Sequence, residues 1–143
     1  MLTIRDAAPT DAEAIAQLTT QLGYAADSSE IAGRLARLSG QRDQLVLVAV
    51  LDGKVAGWLQ AHASEVLESG FRVEIVGLVV AEDCRRHGAG RQLVRRAEQW
   101  AASLGAGTVV VRSNTKREES HRFYPALGYA ATKTQAVYRK RLG

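Results

Sequence analysis

The segment from residue 71 to residue 104 places a β-rich strand, a glycine-containing turn and an amphipathic helix in direct succession. Gly88 and Gly90 flank a single alanine where this helix is about to begin. A helix N-terminus presents unpaired N–H groups and a partial positive charge, and glycine lets a ligand oxygen approach them closely. Arg85, Arg86 and Arg91 add positive charge around the turn. The segment therefore predicts an anion-binding site at the start of the helix.

The sequence argues against two common nucleotide-binding loops as explanations of this turn. A Walker A loop requires the pattern G-x-x-x-x-G-K-[ST], which the sequence lacks. A dinucleotide-binding fingerprint requires a third glycine, where this chain has Leu93, and a later acidic residue, where residues 108–113 contain none. The alternative to an anion site is an ordinary turn followed by a solvated arginine face.

Length and composition favour one domain, residues 1–143, with a net charge of +4. The positive charge is concentrated around Arg85–Arg96 and does not form a basic tail, so we expect no nucleic-acid partner. The longest uncharged apolar run, Leu45–Leu51, is too short to span a bilayer, and no secretion signal is apparent. We therefore expect no membrane partner. The single cysteine, Cys84, cannot form an internal disulfide and fits a cytoplasmic location. The three histidines lack the spacing of metal ligands, so no metal is expected.

Hydrophobic periodicity predicts an α/β fold with a mixed sheet. The first half should contain a strand, two helices and three antiparallel strands, and the second half a helix, a strand, a helix and a strand. Thr10 is the predicted N-cap of the first helix, and Asp52-Gly53 predicts a hairpin turn. The predicted strands are Leu2–Ala7, Gln44–Leu51, Lys54–Ala63, Phe71–Val80, Thr108–Arg112 and Ala136–Leu142, and the last helix is Glu118–Leu127.

Two motifs resemble the signatures of one known family. Arg85-x-x-Gly88-x-Gly90 is similar to the Q/R-x-x-G-x-G/A signature of the GCN5-related N-acetyltransferase (GNAT) family, which binds the pyrophosphate of acetyl-coenzyme A. The second family signature is an asparagine after a strand, then a helix ending in F-Y-x-x-x-G-F/Y. Here it is matched by Asn114, Phe123, Tyr124, Gly128 and Tyr129. The resemblance covers nearly the whole chain and implies a central, mostly antiparallel sheet with splayed strands and about four flanking helices.

The resemblance also implies acetyl-coenzyme A as the acetyl donor. The backbone of one strand should pair with the pantetheine arm, the glycine turn should hold the pyrophosphate, and Asn114 and Tyr124 should lie near the pantetheine and the thioester sulfur. Gly77 predicts a bulge or a close backbone approach within the strand. The implied cofactor-binding residues are Leu78, Val79, Val80, Arg85, Arg86, His87, Gly88, Ala89, Gly90, Arg91, Asn114 and Tyr124.

Acetyl transfer needs a neutral amine, and deprotonating a lysine-like ammonium at pH 7 costs roughly 4–5 kcal/mol. Glu74 is the candidate general base, because it interrupts an apolar strand and alternation places it on the same face as Leu78 and Val80. The alternative is that Glu74 faces solvent or pairs with an arginine. Tyr124 matches the residue that protonates the leaving thiolate in the family, and core packing is its alternative role.

The acceptor is expected to be a primary amine of a small molecule. Candidate acceptor-binding residues are Tyr24, Glu74, Arg117 and His121, the last two from a run that resembles small-molecule acetyltransferases of the aminoalkylphosphonate type. Relatives resembling this chain are often homodimers. Two other functions stay open, namely a protein or peptide acetyltransferase and a non-catalytic acyl-CoA-binding module. Cys84, beside Arg85, Arg86 and His87, is an alternative nucleophile.

Overall fold

The computed structural model describes residues 1–113 and 118–143, apart from the side chains of Arg86 and Glu118. The described chain forms two compact units, Met1–Arg112 and Ser113–Gly143. Two predicted site residues, Asn114 and Arg117, lie outside the described residues.

The first unit contains a five-stranded sheet whose spatial order follows the sequence. Three consecutive pairings are antiparallel, and the last pairing, between β4 and β5, is parallel. This arrangement confirms the predicted mixed sheet with a crossover in its second half. The strands are β1 (Leu2–Asp6), β2 (Gln44–Leu51), β3 (Lys54–Val66), β4 (Gly70–Val80) and β5 (Val109–Val111), and the helices are α1 (Ala12–Gln21), α2 (Ser28–Leu38), α3 (Ala89–Ser103) and, in the second unit, α4 (Glu118–Ala126).

Helices cover both faces of the sheet because β2 carries apolar side chains on both of its faces. Val48 packs on one face in a buried cluster with residues of α1 and α2, among them Ile15 and Leu35. Leu47 points to the opposite face, where α3 contacts β2, β3 and β4 and buries Leu93 completely. Alternation along a strand therefore separates two half-cores, one under α1 and α2 and one under α3.

Two local predictions are wrong. Ala136–Leu142 forms no strand, and Val137 and Tyr138 in this segment are 86% and 92% exposed. An alternating pattern specifies two faces, but a strand also needs a neighbouring strand for its hydrogen bonds. Thr10 is not the N-cap of α1, because one turn of 3₁₀ helix (Pro9–Asp11) precedes α1 and leaves Asp11 in the capping position.

Candidate functional site

A β-bulge in β4 divides this strand into two segments. Gln60 of β3 pairs with Gly77, whereas the next residue of β3, Ala61, pairs with Ile75, so that Val76 is the extra residue on β4. The bulge predicted at Gly77 is therefore confirmed.

The bulge corrects the predicted orientation of Glu74. Directly paired residues point to the same face of a sheet, and Glu74 pairs with His62, two residues from Gln60. Glu74 therefore shares its face with Gly77 and Val79, and Leu78 and Val80 lie on the opposite face. The extra residue reverses the alternation on which the sequence-based expectation depended.

Beyond the bulge, one edge of β4 is open. β5 pairs with β4 only between Val73 and Ile75, and among the described residues no strand continues this pairing along Val76–Val80. On its other side, the segment Leu78–Val80 stays paired with β3. The open edge leaves main-chain N–H and C=O groups for an extended polar ligand, and these are the groups that were predicted to hold the pantetheine arm.

The predicted glycine turn follows this edge directly. A 3₁₀ helix (Glu82–His87) leads into Gly88, which has a φ of 77° and serves as the N-cap of α3. A Cβ built on Gly88 would meet no atom within 4 Å, so the turn is open on that side. Gly88 also has no side chain that could accept hydrogen bonds from the first N–H groups of α3. A bound anion can therefore accept these hydrogen bonds.

The long polar side chains described around the turn are exposed at the surface. Arg85, His87 and Arg91 are exposed, whereas Ala89 and Gly90 are buried against the body of the unit. An open turn, a helix N-terminus whose N-cap Gly88 makes no side-chain hydrogen bond, and exposed arginine side chains fit the diphosphate of coenzyme A.

Glu74 is paired with arginines on both sides. Its Oε2 atom forms an ion pair with Nη1 of Arg112, and its Oε1 atom lies 3.9 Å from Nη2 of Arg72, beyond hydrogen-bonding distance. The side chain is only 13% exposed. Pairing with an arginine, the alternative stated for Glu74, is therefore present. Neither arginine was named from the sequence, although Arg72 was recognisable as the residue two positions before Glu74 on the same strand face.

A cavity of about 480 Å³ lies between α1, α2 and the sheet face that carries Glu74. Trp58 and Gln60 form its floor, and Arg34 and Arg37 contribute the charged groups of its wall. Ala25 and Ala26 line the cavity, whereas the predicted acceptor residue Tyr24 is 41% exposed and does not. Arg34 and Arg37 were not recognisable from the sequence, because nothing in the local pattern of α2 distinguishes them from a solvated face.

The second unit contains the other predicted site residues. The ring of Tyr124 makes edge-to-face contacts with Phe123, at 5.0 Å between centroids, and with Tyr129, at 5.9 Å. The backbone N–H of Tyr129 donates to the carbonyl oxygen of Tyr124, and Pro125 lies inside α4. His121 is exposed on the same helix. The family signature around Tyr124 thus forms a small aromatic cluster at the end of α4.

Cys84 lacks the environment of a nucleophile. Partial burial raises the pKa of its thiol, and the Asp83 carboxylate, 3.5 Å from the sulfur, raises the pKa further. A raised pKa reduces the thiolate fraction, which is the reactive form.

Within residues 1–113 and 118–143, no helix has the length and apolar character needed to cross a bilayer. The same residues contain no group of three or more histidine, cysteine, aspartate or glutamate side chains arranged to bind a metal ion.

Curated relatives match parts of the chain. An aminoglycoside N(6')-acetyltransferase type 1 of Serratia marcescens is 33% identical over 47% of this chain and 46% of its own length. An aminoalkylphosphonate N-acetyltransferase of Salmonella typhimurium is 35% identical over 57% of this chain and 54% of its own length. The chain thus spans about half the length of these relatives.

The fold is shared with solved structures over almost its full length. An aminoglycoside N-acetyltransferase in complex with CoA superposes with a TM-score of 0.87 and 21% identity, covering 99% of this chain and 96% of that one. The model of the Acetyltransferase (GNAT) family matches residues 12–129, which include both signature motifs. The chain therefore belongs to the GNAT family of acetyltransferases.

Proposed function

We propose that this chain is an N-acetyltransferase that moves an acetyl group from acetyl-coenzyme A to a primary amine of a small molecule. The observation that carries the proposal is the succession of an open β4 edge and the Gly88 turn at the N-terminus of α3. An extended arm that ends in a diphosphate needs these two features next to each other. The names of the two partly matching relatives, each an N-acetyltransferase of a small amine, support the same function.

In this proposal the donor is held by main-chain groups. Leu78, Val79 and Val80 hydrogen-bond to the pantetheine arm. The turn from Arg85 to Arg91, which includes Arg86 and His87, holds the diphosphate. Ala89, Gly90 and Arg91 contribute the N–H groups of the first turn of α3, and Gly88, whose own N–H donates to the carbonyl oxygen of Arg85, leaves access to them. Asn114, outside the described residues, keeps its predicted role beside the pantetheine.

Glu74 is the proposed general base. Its Oε1 atom is not hydrogen-bonded by Arg72 and can accept a proton from the acceptor ammonium, directly or through a water molecule. The neutral nitrogen then attacks the thioester carbonyl carbon, forming the C–N bond. An N–H group of the Val79–Val80 segment stabilises the negative charge that develops on the carbonyl oxygen.

Tyr124 is the proposed general acid. The C–S bond breaks as the tetrahedral intermediate collapses, and the Tyr124 hydroxyl donates a proton to the departing sulfur. The electron pair of the broken bond thus ends on a neutral thiol. The nitrogen loses its remaining extra proton as the amide forms, and that proton returns to the Tyr124 phenolate directly or through water. Attack by the amine is direct, so no acetylated enzyme forms, in agreement with the raised pKa of Cys84.

We further propose that the two units belong to one acetyltransferase domain, because the family match runs across their boundary at residue 112. Homodimer formation is supported by the exposed apolar side chains near the C-terminus, where Val137, Tyr138 and Leu142 are 84–92% exposed. Tyr24, Arg117 and His121 keep their proposed roles in acceptor binding. A cytoplasmic location agrees with the single cysteine.

Two measurements test the proposal. Calorimetry with coenzyme A and acetyl-coenzyme A should show stoichiometric binding, and thiol release should depend on an added amine. Binding without thiol release across small amines and lysine peptides would instead support an acyl-CoA-binding module. Release with peptides alone would support a peptide acetyltransferase, and absence of binding would contradict the proposal.

A further inference from the structure

The charged side chains that line the cavity beside α2 are arginines. Arg34 and Arg37 are the charged residues that line the cavity beside α2, and its lining includes no aspartate or glutamate. Arg72 and Arg112 flank Glu74 on the same side of the sheet. Among the described residues, Glu30 pairs with Arg34, and Glu74 pairs with both Arg72 and Arg112.

The cavity and the pair formed by His62 and Glu74 are neighbouring parts of one sheet face. Gln60 lines the cavity, and His62, two residues further along β3, pairs directly with Glu74 of β4. Residues two apart on a strand are about 7 Å apart. The cavity therefore lies on the same sheet face as the proposed base, and the arginines of α2 belong to its wall.

Arg37 is the cationic group best placed to take a ligand. Arg34 is partly neutralised by Glu30, with 3.1 Å between its Nη2 and the carboxylate, whereas no carboxylate of the described residues pairs with the Arg37 guanidinium. Nε of Arg72 is buried without a hydrogen-bond partner among the described residues. A guanidinium group without a paired carboxylate, such as that of Arg37, favours an anionic ligand and repels a second cation.

The geometry points to an acceptor amine that also carries an acidic group, a carboxylate or a phosphonate, bound by Arg37 with Arg34. The inference rests on the proposed acetyltransferase function and narrows its acceptor class. The amine end of such a molecule lies toward Glu74, and its anionic end lies against α2. Acceptors with several positive charges bind poorly, because the wall of the cavity repels them.

Matched acceptors of similar length test the inference by thiol release. Aminoethylphosphonate and β-alanine carry an acidic group, propylamine carries none, and diaminopropane carries a second cation. We expect kcat/KM for the better of the two acids to exceed that for propylamine by about tenfold or more, as for a charge-assisted hydrogen bond. The ranking of phosphonate against carboxylate identifies the acidic group. Equal or faster acetylation of propylamine or diaminopropane would overturn the inference while leaving the acetyltransferase function intact.

Substitution of Arg37 and Arg34 tests whether these side chains bind the acidic group of the acceptor or only maintain the structure. Arg37→Gln should raise KM for the preferred acid about tenfold and change KM for propylamine much less, and the double variant with Arg34→Gln should raise KM for the acid further. Arg96→Gln on the exposed face of α3 is the matched control for the loss of charge. Equal effects of Arg37→Gln on both acceptors would contradict the inference.

Calorimetry provides a readout that does not require turnover. With coenzyme A present, aminoethylphosphonate or β-alanine should bind the unmodified protein at least about tenfold more tightly than propylamine, and Arg37→Gln should remove that difference. Loss of thiol release with every acceptor would contradict the proposed function. Equal affinities for the acids and propylamine would contradict the inference alone.

Discussion

The indole ring of Trp58 lies directly over the main chain of Gly77. A Cβ built on Gly77 would stand 2.7 Å from Cζ3 and 2.8 Å from Cη2 of Trp58, closer than atoms pack in proteins. The ring is held in place from the other side, because its Nε1–H donates to Oγ1 of Thr19 in α1 at 3.0 Å. Helix α1 and the bulge of β4 are thus joined through one side chain.

The first prediction concerns Gly77→Ala. The new methyl group has to displace the Trp58 ring or the bulge, so we expect the free energy of unfolding to fall by about 1–3 kcal/mol in urea denaturation. Gly33→Ala in the interior of α2 is the matched control, since its Cβ would have only Arg37 Nη1 nearby, at 3.6 Å. The control should gain about 0.5–1 kcal/mol. Equal stabilities of the unmodified protein and Gly77→Ala would show that the ring does not restrain the bulge.

The same bulge explains how far the sequence predicts the site. Apart from the last predicted strand, the element order follows from periodicity, and the turn at Gly88 follows from a glycine where φ is positive. The sequence indicated a bulge at Gly77, but it did not indicate how the bulge shifts the pairing of β4 with β3. One extra residue is enough to turn Glu74 to the other face of the sheet. The ion pair with Arg112 depends on which strand lies beside β4, and local patterns do not specify neighbours.

The second prediction concerns Asp11, which is 7% exposed and bound by Arg5. Nη1 and Nη2 of Arg5 each donate to its carboxylate at 2.8 Å, and the backbone N–H of Ala8 donates to it at the same distance. The hydrogen bonds from Arg5 lower the pKa of Asp11 below its ordinary 3.8, and the bond from Ala8 and the charge of Arg5 act in the same direction against the effect of burial.

A lowered pKa in the folded state stabilises the protein above the ordinary pKa. This contribution is lost progressively as the pH falls below about 4 and through the lower folded-state value. We expect Asp11→Asn to unfold at lower urea concentration at pH 7 and to lose less stability than the unmodified protein between pH 5 and pH 2. Asp43→Asn, at an exposed position, should keep the original pH dependence. Identical pH profiles for Asp11→Asn and the unmodified protein would contradict the role assigned to this ion pair.

The third prediction concerns the two glycines that flank α3, and it separates the effect of backbone strain from the effect on ligand binding. Gly88 and Gly105, before and after the helix, have φ values of 77° and 83°, and a Cβ on either would meet nothing within 4 Å. Alanine at either position should therefore cost a similar free energy of unfolding, about 1 kcal/mol. Only Gly88→Ala should weaken coenzyme A binding in calorimetry, by about tenfold, since its methyl group enters the proposed diphosphate site. Equal affinities of the two variants would place the diphosphate elsewhere.

The fourth prediction concerns Glu74→Gln. Glutamine keeps the shape of the side chain but cannot take the proton, so kcat for the best acceptor should fall by roughly 100-fold. The affinity for coenzyme A should stay unchanged, because Glu74 lies outside the proposed donor site. Glu65→Gln, at an exposed position of β3, is the control and should retain full activity. Retention of kcat in Glu74→Gln, with an increase in KM only, would instead assign Glu74 the role of holding Arg72 and Arg112 in position.

The fifth prediction concerns the hydroxyl group of Tyr124. Its neighbour Tyr129 belongs to the same aromatic cluster, so phenylalanine at either position removes one hydroxyl and keeps the ring contact. We expect Tyr124→Phe to reduce kcat by roughly 100-fold, because the departing thiolate then lacks its proton donor. Tyr129→Phe should remain within about twofold of the unmodified protein, and both variants should bind coenzyme A normally. A free thiol has a pKa of about 8.5, so the loss in Tyr124→Phe should shrink when the donor carries a more acidic leaving thiol that needs no proton. Equal losses in the two variants, or an unchanged loss with the more acidic leaving group, would restrict Tyr124 to packing within its cluster.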